Sequence, residues 1–147
     1  MQTKSQPQHP LHVTNPFTQI VQYAFVVRDL SKVNDFYKGL GFGEMGSDRF
    51  VGLDRQYHGA PSNYEMDLGR WKWGDVPFEW IQSRIAPNVY DDYLKAHGEG
   101  LHHLAVNVGD LDKAEALFRS KGVEVLQSGA WDIKGSRGRF AYIEPQG

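Results

Sequence analysis

Three side chains in this sequence could hold a metal ion or move a proton: Gln22, Glu79 and His103. Gln22 and His103 occupy equivalent places in a repeat. Val27-Arg28-Asp29-Leu30-Ser31-Lys32-Val33 returns as Val108-Gly109-Asp110-Leu111-Asp112-Lys113-Ala114, an offset of 81 residues, and the same offset relates Gln22 to His103. Each is a polar side chain in an apolar run, seven residues before an Asp-Leu pair. Two copies of one unit, with a potential ligand at one strand position in each, imply a site assembled between the copies. Glu79 lies between Phe78 and Trp80. A carboxylate in such company points to a functional or a wet face, because burying an unpaired charge is costly. Together the three offer oxygen, nitrogen and oxygen donors. That mixed set suits Mg, Mn, Fe, Co, Ni or Zn better than Ca, and it is not a structural zinc set.

The elements around them follow from periodicity. Ile20 to Val27 is a β-branched and aromatic run and predicts a buried strand. On it Gln22 shares a face with Ala24 and Val26, while Tyr23, Phe25 and Val27 face the other way. Asp29 caps the following helix, in which Leu30, Val33, Phe36, Tyr37 and Leu40 recur at helical spacing until Gly41. A short strand is predicted over 43–49, a loop over 54–63, and two strands over 64–73 and 76–84, joined at Gly74-Asp75. Residues 87–97 predict a connecting helix ended by Gly98 and Gly100. The order then restarts with a strand over 101–108, where His103 shares a face with Ala105 and Asn107 and His102 faces the helix. A helix capped by Asp110 and stopped by Gly122 follows, then strands over 123–134 and 138–145.

The expected organisation is an arm over 1–18 carrying three prolines, a β-α-β-β-β module over 19–84, a linker helix over 85–100, and a second module over 101–147. The second module lacks a fourth strand. The fold class is therefore α+β: two tandem β-α-β-β-β modules forming a curved, incompletely closed sheet around a cavity.

Composition narrows the function classes. With 147 residues, 40% hydrophobic and 13% aromatic, the chain can bury one core. A net charge of −2 without a basic stripe argues against nucleic acid as a partner. No apolar run approaches the roughly 20 residues of a membrane span, and the first ten residues have no apolar signal core. The absence of cysteine removes disulfides and thiolate chemistry and fits a cytoplasmic protein. Trp71, Trp73, Trp80 and Trp131 make the late strands aromatic. Trp71, Trp73, Asn107 and Tyr142 are the candidates for contacting a substrate, with core or subunit interface as the competing role for the tryptophans.

The strand, Asp-Leu, amphipathic helix ending in Gly-Phe, Glu79 in a late strand, and then Gly98-Glu99-Gly100-Leu101-His102-His103-Leu104-Ala105 together resemble the vicinal oxygen chelate superfamily. That group includes glyoxalase I, methylmalonyl-CoA epimerase, extradiol dioxygenases and bleomycin-resistance proteins. The resemblance covers about residues 19–147, and 90–105 is most similar to the epimerase branch. It implies a divalent metal (Ni, Zn, Co, Mn or Fe) on Gln22, Glu79 and His103, with Glu79 also the base. It further implies a glyoxalase-type lyase, isomerase or epimerase acting on a small oxygen-chelating substrate through an enolate-like intermediate, and a homodimer. The chain departs from the pattern at the fourth ligand. Pro145-Gln146-Gly147 resembles the turn before that ligand, and Glu144, the nearby carboxylate, precedes the turn. The departure leaves open a metal-free protein that sequesters an aromatic or drug-like ligand. A non-haem iron dioxygenase fits less well, because that chemistry wants two His and one carboxylate.

Overall fold

The computed structural model describes residues 16–145. Most of the proposed N-terminal arm therefore lies outside the described residues. Its last part does not: the first strand, β1, spans Phe17–Val26 and begins inside the expected arm.

The remaining elements follow in order: α1 (Leu30–Gly39), β2 (Gly46–Phe50), β3 (Leu53–Tyr57), β4 (Ala60–Pro61), β5 (Glu65–Trp73), β6 (Val76–Ile85), α2 (Val89–His97), β7 (Gly100–Val108), α3 (Leu111–Ser120), β8 (Val125–Ile133) and β9 (Ser136–Ile143). The fold is α+β, with two sheets and no closed barrel among the described residues. One sheet runs β2-β5-β6-β1-β7, the other β4-β3-β8-β9. The modules exchange strands. β7 of the second module joins β1 of the first in antiparallel pairing, and β3 of the first pairs with β8 of the second.

The repeat is visible in the caps. Asp29 opens α1 by accepting from the Ser31 N–H, and Asp110 opens α3 by accepting from Lys113. Each satisfies one of the orphan donors of a first helical turn. Gly41 and Gly122 follow the two helices with φ of +91° and +78°, a left-handed conformation that glycine adopts without strain.

The stretch 54–63 is a hairpin rather than the expected loop. β3 and β4 turn through His58 and Gly59, with φ of +48° and +75°. That pair of positive φ values is the tight turn that matches strand twist. The segment Leu53-Asp54-Arg55-Gln56-Tyr57 has no β-branched residue, so its strand character comes from pairing with β8, which local propensity does not report.

Two apolar clusters flank the five-stranded sheet. The inner one, between the sheets, holds Ala24, Val26, Tyr64, Met66, Leu68, Ile81, Val89 and Tyr90, with Phe140 and Tyr142 packed against it from β9. The outer one lies under α1 and joins Val27, Leu30 and Trp80 to Tyr37, Trp71, Trp73 and Phe78. α2 closes the inner space at one side. Its cap, Asn88, is fully buried, accepts from the Tyr90 and Asp91 N–H groups, and donates to Ser83 and Ile85.

Candidate active site

The register of three adjacent strands brings the predicted residues together. On β1, Ala24 faces Glu79 of β6 on one side and His103 of β7 on the other. Cross-strand partners project from the same face, so Glu79, Ala24 and His103 form one row on the inner surface. Strands are spaced about 4.8 Å apart, which puts the Glu79 and His103 backbones about 10 Å apart across β1. Ala24 between them is fully buried, and its small side chain leaves the space above the row to the two larger ones. Gln22 lies two residues along β1, opposite Ala105.

Glu79 is 6% exposed and both its oxygens are engaged. Gln22 Nε2 donates to Oε1 at 2.6 Å, and Arg70 Nε donates to Oε2 at 2.7 Å. Arg70 also reaches Asp48 Oδ2 through Nη1 at 3.0 Å. Burial raises the Glu79 pKa above the usual carboxylate value, and the Arg70 guanidinium and the Gln22 hydrogen bond oppose that rise. Nothing in the sequence ties Arg70 to Glu79, nine residues further on. Its role follows from the two-residue turn at Gly74-Asp75, which pairs Trp73 with Val76 and therefore Arg70 with Glu79.

A β-bulge shapes the histidine end. Ala24 pairs with His103 and Phe25 with Leu101, leaving His102 as an extra residue on β7. Strict alternation would turn His102 away from His103. The bulge instead sets both rings side by side, with their Nδ1 atoms 2.8 Å apart. His102 packs on Tyr90 and Tyr93 of α2, at centroid distances of 5.4 and 4.9 Å, so it does face a helix, though on the inner surface. Tyr142 Oη lies 3.3 Å from His103 Nε2 and 2.9 Å from Tyr90 Oη. Burial lowers the His102 pKa to about 4. Burial, and then the neighbouring His102, lowers that of His103 to about 3. Both rings are therefore neutral at neutral pH.

Beside Glu79 a cavity of about 250 Å3 opens between the sheets. Its walls are Phe50, Met66, Leu68, Trp131, Ile133 and Phe140, and Arg70, Glu79 and Tyr90 supply its polar end. Tyr142 meets His103 behind that end. Asn107 sits exposed toward the far end of β7, with its carbonyl accepting from Thr18 Oγ1. Trp71 and Trp73 are not at the cavity. They alternate with Arg70 and Lys72 along β5 and so point to the outer face, where they pack on Tyr37 at 4.9 and 5.2 Å. Trp71 Nε1 donates to the Gly43 carbonyl there. The tryptophan that lines the cavity is Trp131.

The donor chemistry fits a divalent ion in kind: a buried carboxylate, an amide and a neutral imidazole on three adjacent strands of one face. The carboxylate retains further lone pairs beyond the two hydrogen bonds it accepts. Gln22 presents its amide nitrogen to Glu79, so binding through its oxygen requires the amide to turn over. Among the described residues no group of three or more His, Cys, Asp or Glu side chains could hold a metal, which leaves the set dependent on Gln22.

Fold and site together define a two-module α+β protein with a polar cluster at the junction of its modules. Residues 21–142 match the Glyoxalase/Bleomycin resistance protein/Dioxygenase superfamily, and the chain belongs to that superfamily. The fold is similar to that of methylmalonyl-CoA epimerase from Mycobacterium tuberculosis, with a TM-score of 0.53 and 21% identity over 88% of this chain and 81% of that one. It is also similar to Streptomyces coelicolor methylmalonyl-CoA epimerase in complex with 2-nitronate-propionyl-CoA, with a TM-score of 0.55 and 22% identity over 86% of this chain and 88% of that one. A methylmalonyl-CoA epimerase in complex with methylmalonyl-CoA and NH4+ gives a TM-score of 0.52 and 19% identity, over 85% and 94% of the two chains. No curated protein matches the sequence.

Proposed function

We propose that this chain is an isomerase or epimerase that moves a proton next to a carbonyl of a small oxygen-rich acyl substrate. The observation that carries the reading is the buried Glu79 at the polar end of an otherwise apolar cavity, oriented by Gln22 and charge-compensated by Arg70. A general base needs a proton affinity near its working range and a fixed direction. Burial supplies the first for Glu79 and the two hydrogen bonds supply the second. Arg70, itself held by Asp48, opposes the rise in proton affinity that burial gives the carboxylate.

Gln22, Glu79 and His103 would hold a divalent ion, which when bound polarises substrate oxygens as a Lewis acid and stabilises enolate charge. The chain's own residues do the rest. Glu79 takes the proton and returns it to the neighbouring carbon, as a one-base isomerase does, whereas inversion at a single carbon needs a second acid on the opposite face; Arg70 balances charge, and the apolar walls line the space around the reacting carbon. The epimerases that share the fold suggest an acyl-CoA as the first substrate to try, and a homodimer remains part of the proposal.

Solvent deuterium incorporation into the α-carbon of methylmalonyl-CoA tests this directly. Exchange with wild-type protein and its loss in Glu79→Gln are expected. Equal exchange in both proteins would overturn the role of Glu79. Metal analysis after reconstitution with Ni, Zn, Co or Mn, with His103→Ala as control, tests the ligand set; no uptake by wild type would remove the metal from the reading.

The cavity's aromatic wall at Trp131 and Phe140 favours a second reading, metal-free binding of an aromatic ligand. Tight binding of such ligands by a protein that neither takes up metal nor catalyses exchange would select it.

A further inference from the structure

We propose that the apolar half of the cavity is an aryl subsite, so that the acyl substrate carries a flat aromatic ring on the carbon next to Glu79. The ring is argued from the cavity walls alone. Its attachment to the reacting carbon rests on the proton-transfer reading of Glu79.

Two glycines build one flat wall. On the inner face of the β8–β9 hairpin, Gly129 is the cross-strand partner of Phe140, and Gly138 that of Trp131. Each ring lies over the glycine opposite it, and a Cβ at either position would collide with the ring, at Phe140 Cζ or at Trp131 Cζ2. Neither glycine has a left-handed backbone, so what each supplies is room for a ring to lie down. The two rings are within 15° of parallel, with centroids 6.4 Å apart. One face of each rests on the sheet, and both line the cavity. Together they offer a π-surface wider than one residue can make.

The opposite wall is aliphatic. Met66 and Leu68 are buried on the inner face of β5. Phe50, the β2 partner of Met66, closes one side with its ring at 63° to that of Phe140. A slot with rings on one side and a thioether and a branched side chain on the other suits a flat ring, which stacks on the first and meets sulfur and methyl groups on the second. Size agrees. An apolar cavity of about 150 Å3 suffices for benzene. The volume of about 250 Å3 leaves about 100 Å3 for the acyl carbons beside Glu79. Charge argues the same way. Arg70 is the one cation among the described residues that line the cavity, and it is bound to Glu79 and Asp48. A carboxylate pushed among these walls would lose its water without gaining a partner.

The test uses thioesters of N-acetylcysteamine, a carrier with no ring of its own, titrated into the full chain carrying 13C-labelled methionine methyls. Phenylacetyl, cyclohexylacetyl and malonyl thioesters compare a flat ring, a puckered ring of the same carbon count and a carboxylate. Phenylacetyl should bind about 2–10-fold tighter than cyclohexylacetyl, the range that ring-on-ring contact adds to burial. It should bind at least about tenfold tighter than malonyl. Its ring current should move the Met66 methyl and leave that of Met45, which packs in the outer cluster beside Gly69. Trp131→Leu should abolish the preference over cyclohexylacetyl; if that variant fails to fold, the Met66 signal of wild type decides. Failure of phenylacetyl to bind, equal binding of cyclohexylacetyl, tighter binding of malonyl, or an unmoved Met66 would overturn the subsite. Deuterium exchange at the α-carbon, read in the same samples against a protein-free control, reports separately on Glu79. A Met66 shift without protein-dependent exchange would remove the proton-transfer reading and leave the aryl subsite standing.

Discussion

Gln22 Nε2 donates to Glu79 Oε1 across the parallel β1–β6 pair, at 2.6 Å and with 57 residues of chain between them. This contact ties the first strand of the first module to its last strand. It also gives the buried carboxylate one of its two donors, the other being Arg70.

Removing the Gln22 donor should cost more than a surface hydrogen bond. Gln22→Ala leaves a buried oxygen of Glu79 unpaired, with an expected loss of about 1–3 kcal/mol in urea unfolding. Gln22→Glu is the sharper probe, because it sets two carboxylates against each other and one must keep its proton. That proton is bound more tightly in the folded state than in the unfolded chain. The variant should therefore be most stable below about pH 4.3, the ordinary Glu value, and lose stability as pH rises through the folded pKa. A Gln22→Glu protein with the wild-type pH profile would mean that the contact does not form.

Glu79 itself should leave a signature in wild type. Its folded pKa is raised, with burial the largest cause and Arg70 opposing it. The stability it contributes is present below the unfolded pKa and is lost as pH rises through the folded one. Glu79→Gln cannot ionise and lacks that loss. The gap by which wild type exceeds Glu79→Gln in stability should therefore narrow as pH rises above about 4.3, the ordinary Glu value. A widening gap would show that the Arg70 ion pair outweighs burial.

The histidines act with the opposite sign. Their folded pKa values are depressed to about 4 for His102 and about 3 for His103. Below about pH 6.5 the unfolded chain binds protons that these buried rings refuse. Their contribution is present above that pH and lost as pH falls through the folded values. Each ring adds up to about 1.4 kcal/mol per pH unit to the slope in that window. His103→Asn should flatten the acid limb by close to one proton, read from urea midpoints between pH 3.5 and 7. An unchanged slope would place the ring in contact with solvent.

Much of this arrangement was legible because it repeats. The offset from Asp29 to Asp110 located both helix caps, and the same offset placed Gln22 and His103 on facing strands. Glu79 was visible as a charge in aromatic company. What the sequence concealed depends on pairing between distant segments. β3 has no β-branched residue and is held as a strand by pairing with β8. The bulge that turns His102 inward is an offset between β1 and β7, to which a count along one strand is blind. The outward placement of Trp71 and Trp73 followed from alternation against Arg70, but only once Arg70 was known to face Glu79. The 81-residue offset also leaves Glu79 without a counterpart among the described residues, and β7 and β9 each pair on one side only there.

Trp131 offers a test of the cavity that is independent of the polar cluster. It pairs across β8 and β9 with Gly138, and its indole lies flat over that glycine. A Cβ on Gly138 would overlap the indole ring, while the backbone there needs no left-handed conformation. Gly138→Ala must therefore act by moving Trp131 rather than by straining the chain. Overpacking of this kind is expected to cost about 1–3 kcal/mol. Since Trp131 lines the cavity, the same substitution should also change ligand binding there. Replacing Trp131 by Leu in the Gly138→Ala background removes the clash, so the two changes together should destabilise by less than the sum of each alone. Fluorotryptophan NMR reports on the four indoles of the chain separately, and only the Trp131 signal should shift in Gly138→Ala. Additive stabilities, or a shift at Trp71 and Trp73 instead, would show that the cavity wall is built from other residues.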